Sequence, residues 1–147
     1  MANAISETIE SLRQKIAGSV VTPEDPKYDD ARRVWNAAVN RRPAVIAQCT
    51  SAQDVAAAIG VAQAAGLEIG VRDGGHSYPG YSVCDNGLVV DLTRMNGVII
   101  DPETKRARVQ GGALLADLDA AAQAHGLAVM AGIVGHTGVG GLTLAAA

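Results

Sequence analysis

The stretch DGGHSYPG, residues 73–80, carries three glycines and one proline between two apolar segments. No regular helix or strand accommodates this composition, so the stretch predicts a long turn. A second stretch, GHTGVG at residues 135–140, matches the first as G-H-[ST]-x-x-G, although the flanking residues do not align as a repeat. The chain is therefore organised around two glycine-rich loops, each with a histidine beside a hydroxyl side chain.

Glycine-rich loops of this kind are suited to phosphate groups. Successive backbone N–H groups can turn toward one point, and the hydroxyls of Ser77 and Thr137 add donors, so no basic patch is needed. Two such loops predict a dinucleotide site; the alternative is that the glycines serve only tight turns. No P-loop motif is present, and Thr143 stands where a Rossmann fingerprint requires its third glycine, so both nucleotide folds are disfavoured.

The segments ahead of the first loop predict a strand-helix-strand unit. Thr50 or Ser51 can cap the helix, and Gly66 can end it. The predicted ranges are a strand at 44–47, a helix at 52–65 and a strand at 67–72.

The N-terminal part is predicted to be a helix and a lead-in. Apolar residues spaced by three and four from Ile5 to Ile16 indicate an amphipathic helix. From Val20 onward we expect an extended segment, followed by a short irregular or helical piece around residues 31–38.

After the first loop, strands and a helix lead to the second loop. The whole pattern indicates an α+β fold. The predicted ranges are a strand at 87–92, a hairpin of 97–100 with 107–110, a helix at 114–125, a strand at 127–130 and the second loop at 132–141.

Composition limits the classes of protein. The chain has 147 residues, 48% of them hydrophobic, and a net charge of -3, which fits one domain and gives no basic footprint for nucleic acid. No run approaches the roughly 18 apolar residues of a membrane helix, and no signal peptide is recognisable, so we expect a cytoplasmic protein that does not bind a membrane. Cys49 and Cys84 predict free thiols and no metal site.

Residues 71–82 resemble the R-x-G-G-H-S-x-x-G segment of FAD-linked oxidoreductases of the vanillyl-alcohol-oxidase and berberine-bridge-enzyme type. The resemblance extends to most of the chain after about residue 28. It includes the segments 33–49, 88–92, 110–113 and 132–144.

This resemblance implies an N-terminal part of a PCMH-type FAD-binding domain, with two small α/β subdomains and FAD between them. Residues 1–30 would be a helix and lead-in, and residues 31–147 the FAD-binding domain, truncated at its C-terminal end. The implied activity is an oxidase or dehydrogenase that accepts hydride from an alcohol, amine or sugar-like small molecule. The catalytic residues stay unknown, because the resemblance places them in the missing C-terminal part.

The resemblance also implies how FAD is bound. His76 would be bonded to the 8α-methyl carbon of the flavin, since an imidazole nitrogen can offer its lone pair to an electrophile; the alternative is a turn histidine hydrogen-bonded to backbone. Val134 stands where members with two covalent links have a cysteine, which implies one link only. The pyrophosphate would be lined by Arg72, Gly74, Gly75, Ser77, Tyr78 and Gly80, and the second loop would approach FAD through Gly135, Thr137, Gly138 and Gly141.

Two other histidines have open or structural assignments. His136 either touches FAD or caps its own loop, whereas His125 is expected to have a structural role at a helix C-terminus. Besides the oxidoreductase, two hypotheses remain: a flavin-binding module without turnover of its own, and an α+β binding domain without flavin. The sequence does not indicate the substrate, the electron acceptor or the oligomeric state.

Overall fold

A four-stranded sheet covered by helices forms the first part of the fold, and a hairpin with a helix forms the second. The computed structural model describes residues 2–145, with side chains for residues 5–144. The elements are α1 (Ala2–Lys15), β1 (Ser19–Val21), α2 (Tyr28–Ala31), β2 (Val45–Gln48), α3 (Ala52–Ala65), β3 (Ile69–Arg72), β4 (Leu88–Asp91), β5 (Val98–Asp101), β6 (Arg106–Val109), α4 (Leu115–Gln123) and α5 (Val139–Ala145).

The four-stranded sheet has the order β1-β2-β4-β3 and is buried on both faces. β4 pairs parallel with both β2 and β3, and β1 pairs antiparallel with β2. β2 and β4 are apolar and almost entirely buried because they lie in the middle of the sheet. One face packs against Leu12, Ile16, Ala58, Val61 and Ala62, and the other against Tyr28, Ala31, Val34 and Val83.

Helix α3 has the bounds that the sequence predicts. The Ser51 side chain accepts a hydrogen bond from the backbone N–H of Asp54 at 3.1 Å, which caps the first turn. Gly66 ends the helix with a φ of 63°, in the left-handed region that favours glycine. The strand-helix-strand prediction is confirmed, with β3 starting at Ile69.

The second part is the predicted hairpin with α4. β5 and β6 pair antiparallel, and the turn between them is closed by Asp101, whose carboxylate accepts from the Thr104 backbone N–H at 3.2 Å. Helix α4 packs on both strands. His125 lies beyond the end of α4, is exposed, and closes the helix through its backbone N–H, which donates to the Ala122 carbonyl.

Two predicted elements need correction. Residues 127–130 form no strand, because no strand of the described chain pairs with them, and Met130 is fully exposed. The predicted second loop, 132–141, already contains the first turn of α5, which starts at Val139. The short irregular or helical piece expected around residues 31–38 is irregular after Ala31, and a helical turn precedes it at Tyr28–Ala31.

The cysteines, the possible metal ligands and the helix lengths complete the description of the fold. Cys49 and Cys84 are buried free thiols. No group of three metal-ligating side chains was found among the described residues. Within residues 2–145, no helix is both long and apolar enough to cross a membrane. The α+β fold class is confirmed.

Candidate functional site

The first loop begins where β3 ends and contains two backbone positions that require glycine. Gly75 and Gly80 have φ angles of 66° and 79°, which side chains rarely adopt. Ser77 closes the second half of the loop: its carbonyl accepts from Gly80 N–H at 3.0 Å, and its hydroxyl accepts from Tyr81 N–H at 3.0 Å. These contacts fix a turn directly after the strand.

The first loop contains a run of backbone N–H groups without an acceptor in the described part of the chain. None of the N–H groups of residues 74–78 donates to an acceptor within the described part of the chain. These are five consecutive donors without an acceptor among the described residues, and each carries a partial positive charge. This arrangement fits an anionic group such as the pyrophosphate of FAD, which would satisfy the donors.

An irregular segment of residues 34–41, called here the supporting segment, runs alongside the first loop. The backbone N–H of Trp35 donates to the Gly75 carbonyl at 3.1 Å. The Asn36 side-chain amide donates to the Tyr78 carbonyl at 2.9 Å, and Arg41 donates to the Gly80 carbonyl at 3.1 Å. The loop is therefore held from one end to the other by residues far away in sequence.

The second loop is anchored on the start of α4. The Leu115 N–H donates to the Thr137 carbonyl at 3.0 Å, and the Ala116 N–H donates to the Gly135 carbonyl at 2.8 Å. The Thr137 hydroxyl has no hydrogen-bond partner within residues 5–144. It is therefore available as a donor to a ligand.

The two loops meet backbone to backbone. A Cβ atom built on Gly74 would collide with the backbone of Gly138, so both positions require glycine. The Asp73 carboxylate accepts a hydrogen bond from the Gly141 N–H at 2.5 Å, in the first turn of α5. Asp73 thus joins the second loop to the first, and its negative charge lies beside the free N–H groups.

Three rings gather at this junction. The imidazole rings of His76 and His136 have centroids 4.6 Å apart, and the Trp35 ring lies 5.4 Å from His76 at an interplanar angle of 24°. Neither ring nitrogen of His76 has a hydrogen-bond partner among the described residues, and the same holds for His136. His76 is therefore not the backbone-bonded turn histidine of the alternative interpretation.

A cleft of about 670 Å³ opens beside the junction. Its walls come from β3 and both loops: Ile69, Val71, Asp73, His76, Ser77, Tyr78, Pro79, Tyr81, Ser82, Thr137, Gly138, Gly141 and Leu142.

The side chain of Arg72 lies outside this cleft. Side chains alternate along a strand, so Arg72 projects from the face of β3 opposite to Val71. Its guanidinium donates to the Ala31 carbonyl at 2.8 Å and pairs with the buried Asp91 at 3.3 Å. The structure therefore brings the glycines, His76, Ser77, Tyr78 and the second loop together, whereas the Arg72 side chain supports the sheet.

Comparison with known proteins identifies the family. The family model described as "FAD binding domain" matches residues 43–147, well over half of the chain. The chain belongs to this FAD-binding family. Its relatives are FAD-linked oxidoreductases, so the predicted family, its enzymatic character and FAD as the cofactor are confirmed.

Three relatives illustrate the match. (R)-6-hydroxynicotine oxidase of Paenarthrobacter nicotinovorans is 42% identical over 129 residues, covering 88% of this chain and 28% of that protein. The structure of Physcomitrella patens BBE-like 1 has a TM-score of 0.85 at 28% identity, covering 91% of this chain and 29% of the other. For Phl p 4, a grass pollen allergen with glucose dehydrogenase activity, the TM-score is 0.83 at 28% identity, with 92% and 30% covered.

The chain spans less than a third of the length of each of these relatives.

Proposed function

We propose that this chain supplies the FAD-binding part of an oxidoreductase whose flavin is linked covalently to His76. The flavin would accept hydride from an alcohol, amine or sugar-like small molecule. The observation that supports the proposal most is the run of free N–H groups at residues 74–78, next to a His76 ring without hydrogen-bond partners. A cofactor with a pyrophosphate and a reactive ring would use both features.

Each loop has a distinct task in this proposal. The backbone N–H groups of Gly74, Gly75 and Ser77 hold the pyrophosphate, and the Thr137 hydroxyl reaches it from the second loop. Asp73 keeps the second loop against the first. FAD, when bound, supplies the two-electron acceptor, while the protein positions it and adjusts its electronic properties.

His76 would hold the flavin through a bond between a ring nitrogen and the 8α carbon. This bond would replace one C–H bond of the methyl group and one N–H bond of the imidazole, and dioxygen would take up the two protons and two electrons as hydrogen peroxide. Val134 has no sulfur, so the second loop offers no thioether at that position, and we infer a single link.

The substrate class rests on the named relatives. One of them is an oxidase named for 6-hydroxynicotine, and another has glucose dehydrogenase activity. Amines and sugars are therefore the first substrates to examine, with alcohols as the third class.

We infer that the cofactor-binding unit begins near residue 31 and that residues 1–30 support it. In this division α1 packs on α3, and β1 extends the main sheet through its pairing with β2. The supporting segment then belongs to the cofactor-binding unit.

The second candidate is a flavin-binding module without turnover of its own. Asp73 is the only carboxylate that lines the described cleft, and it already accepts a hydrogen bond from the Gly141 N–H. Among the described residues, this hydrogen-bonded carboxylate is thus the one acidic group that the cleft offers as a base for substrate.

An absorption spectrum between about 350 and 500 nm tests both candidates. The proposed oxidoreductase predicts a yellow protein whose flavin bands are bleached by an amine, sugar or alcohol. Flavin bands that no such substrate bleaches would favour the module. Protein that stays colourless after addition of FAD would contradict both.

A further inference from the structure

The orientation of the His76 ring depends on its neighbouring rings. A histidine side chain has two rotatable torsions and normally occupies one of several staggered rotamers. With no hydrogen bond to either ring nitrogen within the described chain, the imidazole is restrained by its contacts with Trp35 and His136. A ring nitrogen can bond to a flavin only if the ring faces it.

Backbone hydrogen bonds hold the segments of both neighbours, and the feature that distinguishes Trp35 is its more nearly parallel ring. The Trp35 backbone N–H donates to the Gly75 carbonyl, and the adjacent Asn36 donates to the Tyr78 carbonyl. These two hydrogen bonds join the backbone around Trp35 to the first loop before and after His76. The Trp35 ring is nearly parallel to the imidazole, at 24°, whereas His136 is tilted by 44°.

The Trp35 ring is 60% exposed. Its indole N–H has no hydrogen-bond partner among the described residues. Burial and hydrogen bonding therefore do not account for its place beside the loop. The Trp35 ring stacks on the His76 ring, and this contact accounts for its place.

We propose that Trp35 is a positioning residue for flavin attachment: its ring holds the His76 imidazole in the orientation that presents a ring nitrogen to FAD. This inference rests on the proposed link at His76. Trp35 acts through His76, so its removal lowers the rate of covalent attachment more than the affinity for FAD.

Tryptophan fluorescence of the apoprotein tests the ring contact independently of attachment. Trp35 is the only tryptophan within residues 1–147, and its share of the emission is obtained by subtracting the spectrum of the variant Trp35→Phe from that of the parent. The variant His76→Ala should change the emission intensity, whereas His125→Ala, at an exposed histidine beyond α4, should leave it unchanged. Equal emission in His76→Ala and the parent would overturn the stacked arrangement.

The attachment itself is tested in the native full-length protein that carries this sequence, prepared as apoprotein and mixed with FAD. Samples are denatured at intervals, and the flavin fluorescence that stays on the protein is measured. Trp35→Ala should slow attachment about tenfold, corresponding to the loss of one ring stack. Trp35→Phe should restore most of the rate, and Ile99→Ala, which removes an exposed apolar side chain on β5, should match the parent.

The outcomes separate the two proposals. A parent protein without covalent flavin would overturn the proposed link at His76 and, with it, the role of Trp35. A parent that attaches flavin, together with Trp35→Ala at the same rate, would overturn only the role of Trp35. Equal losses of FAD affinity and attachment rate, or no rescue by Trp35→Phe, would assign Trp35 to the fold of the loop and overturn the positioning role.

Discussion

Gly74 and Gly75 are neighbours with different structural requirements. Gly75 needs its positive φ of 66°, and a Cβ there would meet Val34 at an ordinary contact distance of 3.6 Å. Gly74 is limited by space, because a Cβ would collide with the Gly138 backbone. A substitution at Gly75 therefore strains one loop, whereas a substitution at Gly74 separates the two loops.

The substitution Gly74→Ala should weaken FAD binding at least about tenfold, since one methyl group pushes the second loop away from the first. Titration of the apoprotein with FAD measures the affinity. Gly60→Ala is the matched control, because a Cβ at this exposed position of α3 meets nothing within 4 Å. Unchanged affinity in Gly74→Ala would show that the loop junction does not contribute to FAD binding.

The two cysteines should be inert in the folded protein. Burial raises the pKa of the Cys49 thiol to about 11, and burial is also the main cause of the raised pKa of Cys84. Little thiolate is present near neutral pH, and both sulfurs are buried. Labelling with iodoacetamide should therefore require unfolding, and rapid labelling of the native protein would contradict the buried placement.

At the scale of elements, the local sequence was sufficient to predict α3. At residues 127–130 the local sequence predicted a strand that the structure does not contain. The cap by Ser51 and the end at Gly66 are encoded within the helix itself. A strand, in contrast, needs a partner, and the apolar residues 127–130 have none within the described chain. The sequence did not predict helix α5, because glycine is a poor helix former. In the structure, the Gly141 N–H in the first turn of α5 donates a hydrogen bond to Asp73, which is distant in sequence.

The Asp54 carboxylate joins the start of α3 to Thr50 and to Ala17, which lies between α1 and β1. Burial raises the pKa of its carboxyl, but hydrogen bonds from the backbone N–H groups of Thr50 and Ala17 and from the Thr50 hydroxyl outweigh burial and lower it to about 2. A folded-state pKa below the ordinary value of 3.8 stabilises the protein above pH 4. This contribution is lost as the pH falls toward 2.

The variant Asp54→Ala should lower the free energy of unfolding near neutral pH by about 2 to 4 kcal/mol, since it removes charge-assisted hydrogen bonds in a buried place. It should also flatten the fall in stability between about pH 4 and 2. Denaturant unfolding at several pH values measures both effects. Glu103→Ala, at an exposed carboxylate of the β5–β6 turn, is the control. If the unfolding free energies of the parent and Asp54→Ala fall in parallel with pH, Asp54 is not the cause of the fall.

At the scale of the whole molecule, the sequence predicted the loops but not their supports. The glycines and His76 are visible as a local motif. Trp35 and Asp73 gain their roles only through contacts with residues far away in the chain, and nothing local distinguishes them.

A set of exposed apolar side chains lies on the segment between α4 and α5 and on α5 itself. Met130 and Ile133 are fully exposed, and Leu144 is 87% exposed. Exposed apolar groups of this size promote association. The double variant Met130→Gln with Ile133→Thr should therefore bind less of a hydrophobic dye and stay soluble at higher concentration.

Because neither side chain is buried, the double variant should keep the parent's unfolding free energy within about 0.5 kcal/mol. A marked loss of stability would show that these residues pack against the fold. Dye binding equal to that of the parent would show that other residues form the apolar surface.

The covalent link at His76 is the central claim, and peptide mass mapping of the native full-length protein tests it most directly. After denaturation and digestion, the flavin mass should be found only on the peptide that contains His76. His76→Ala should still bind FAD through both loops but release it on denaturation. Flavin mass on a peptide that contains His136, or flavin retained by denatured His76→Ala protein, would contradict the account.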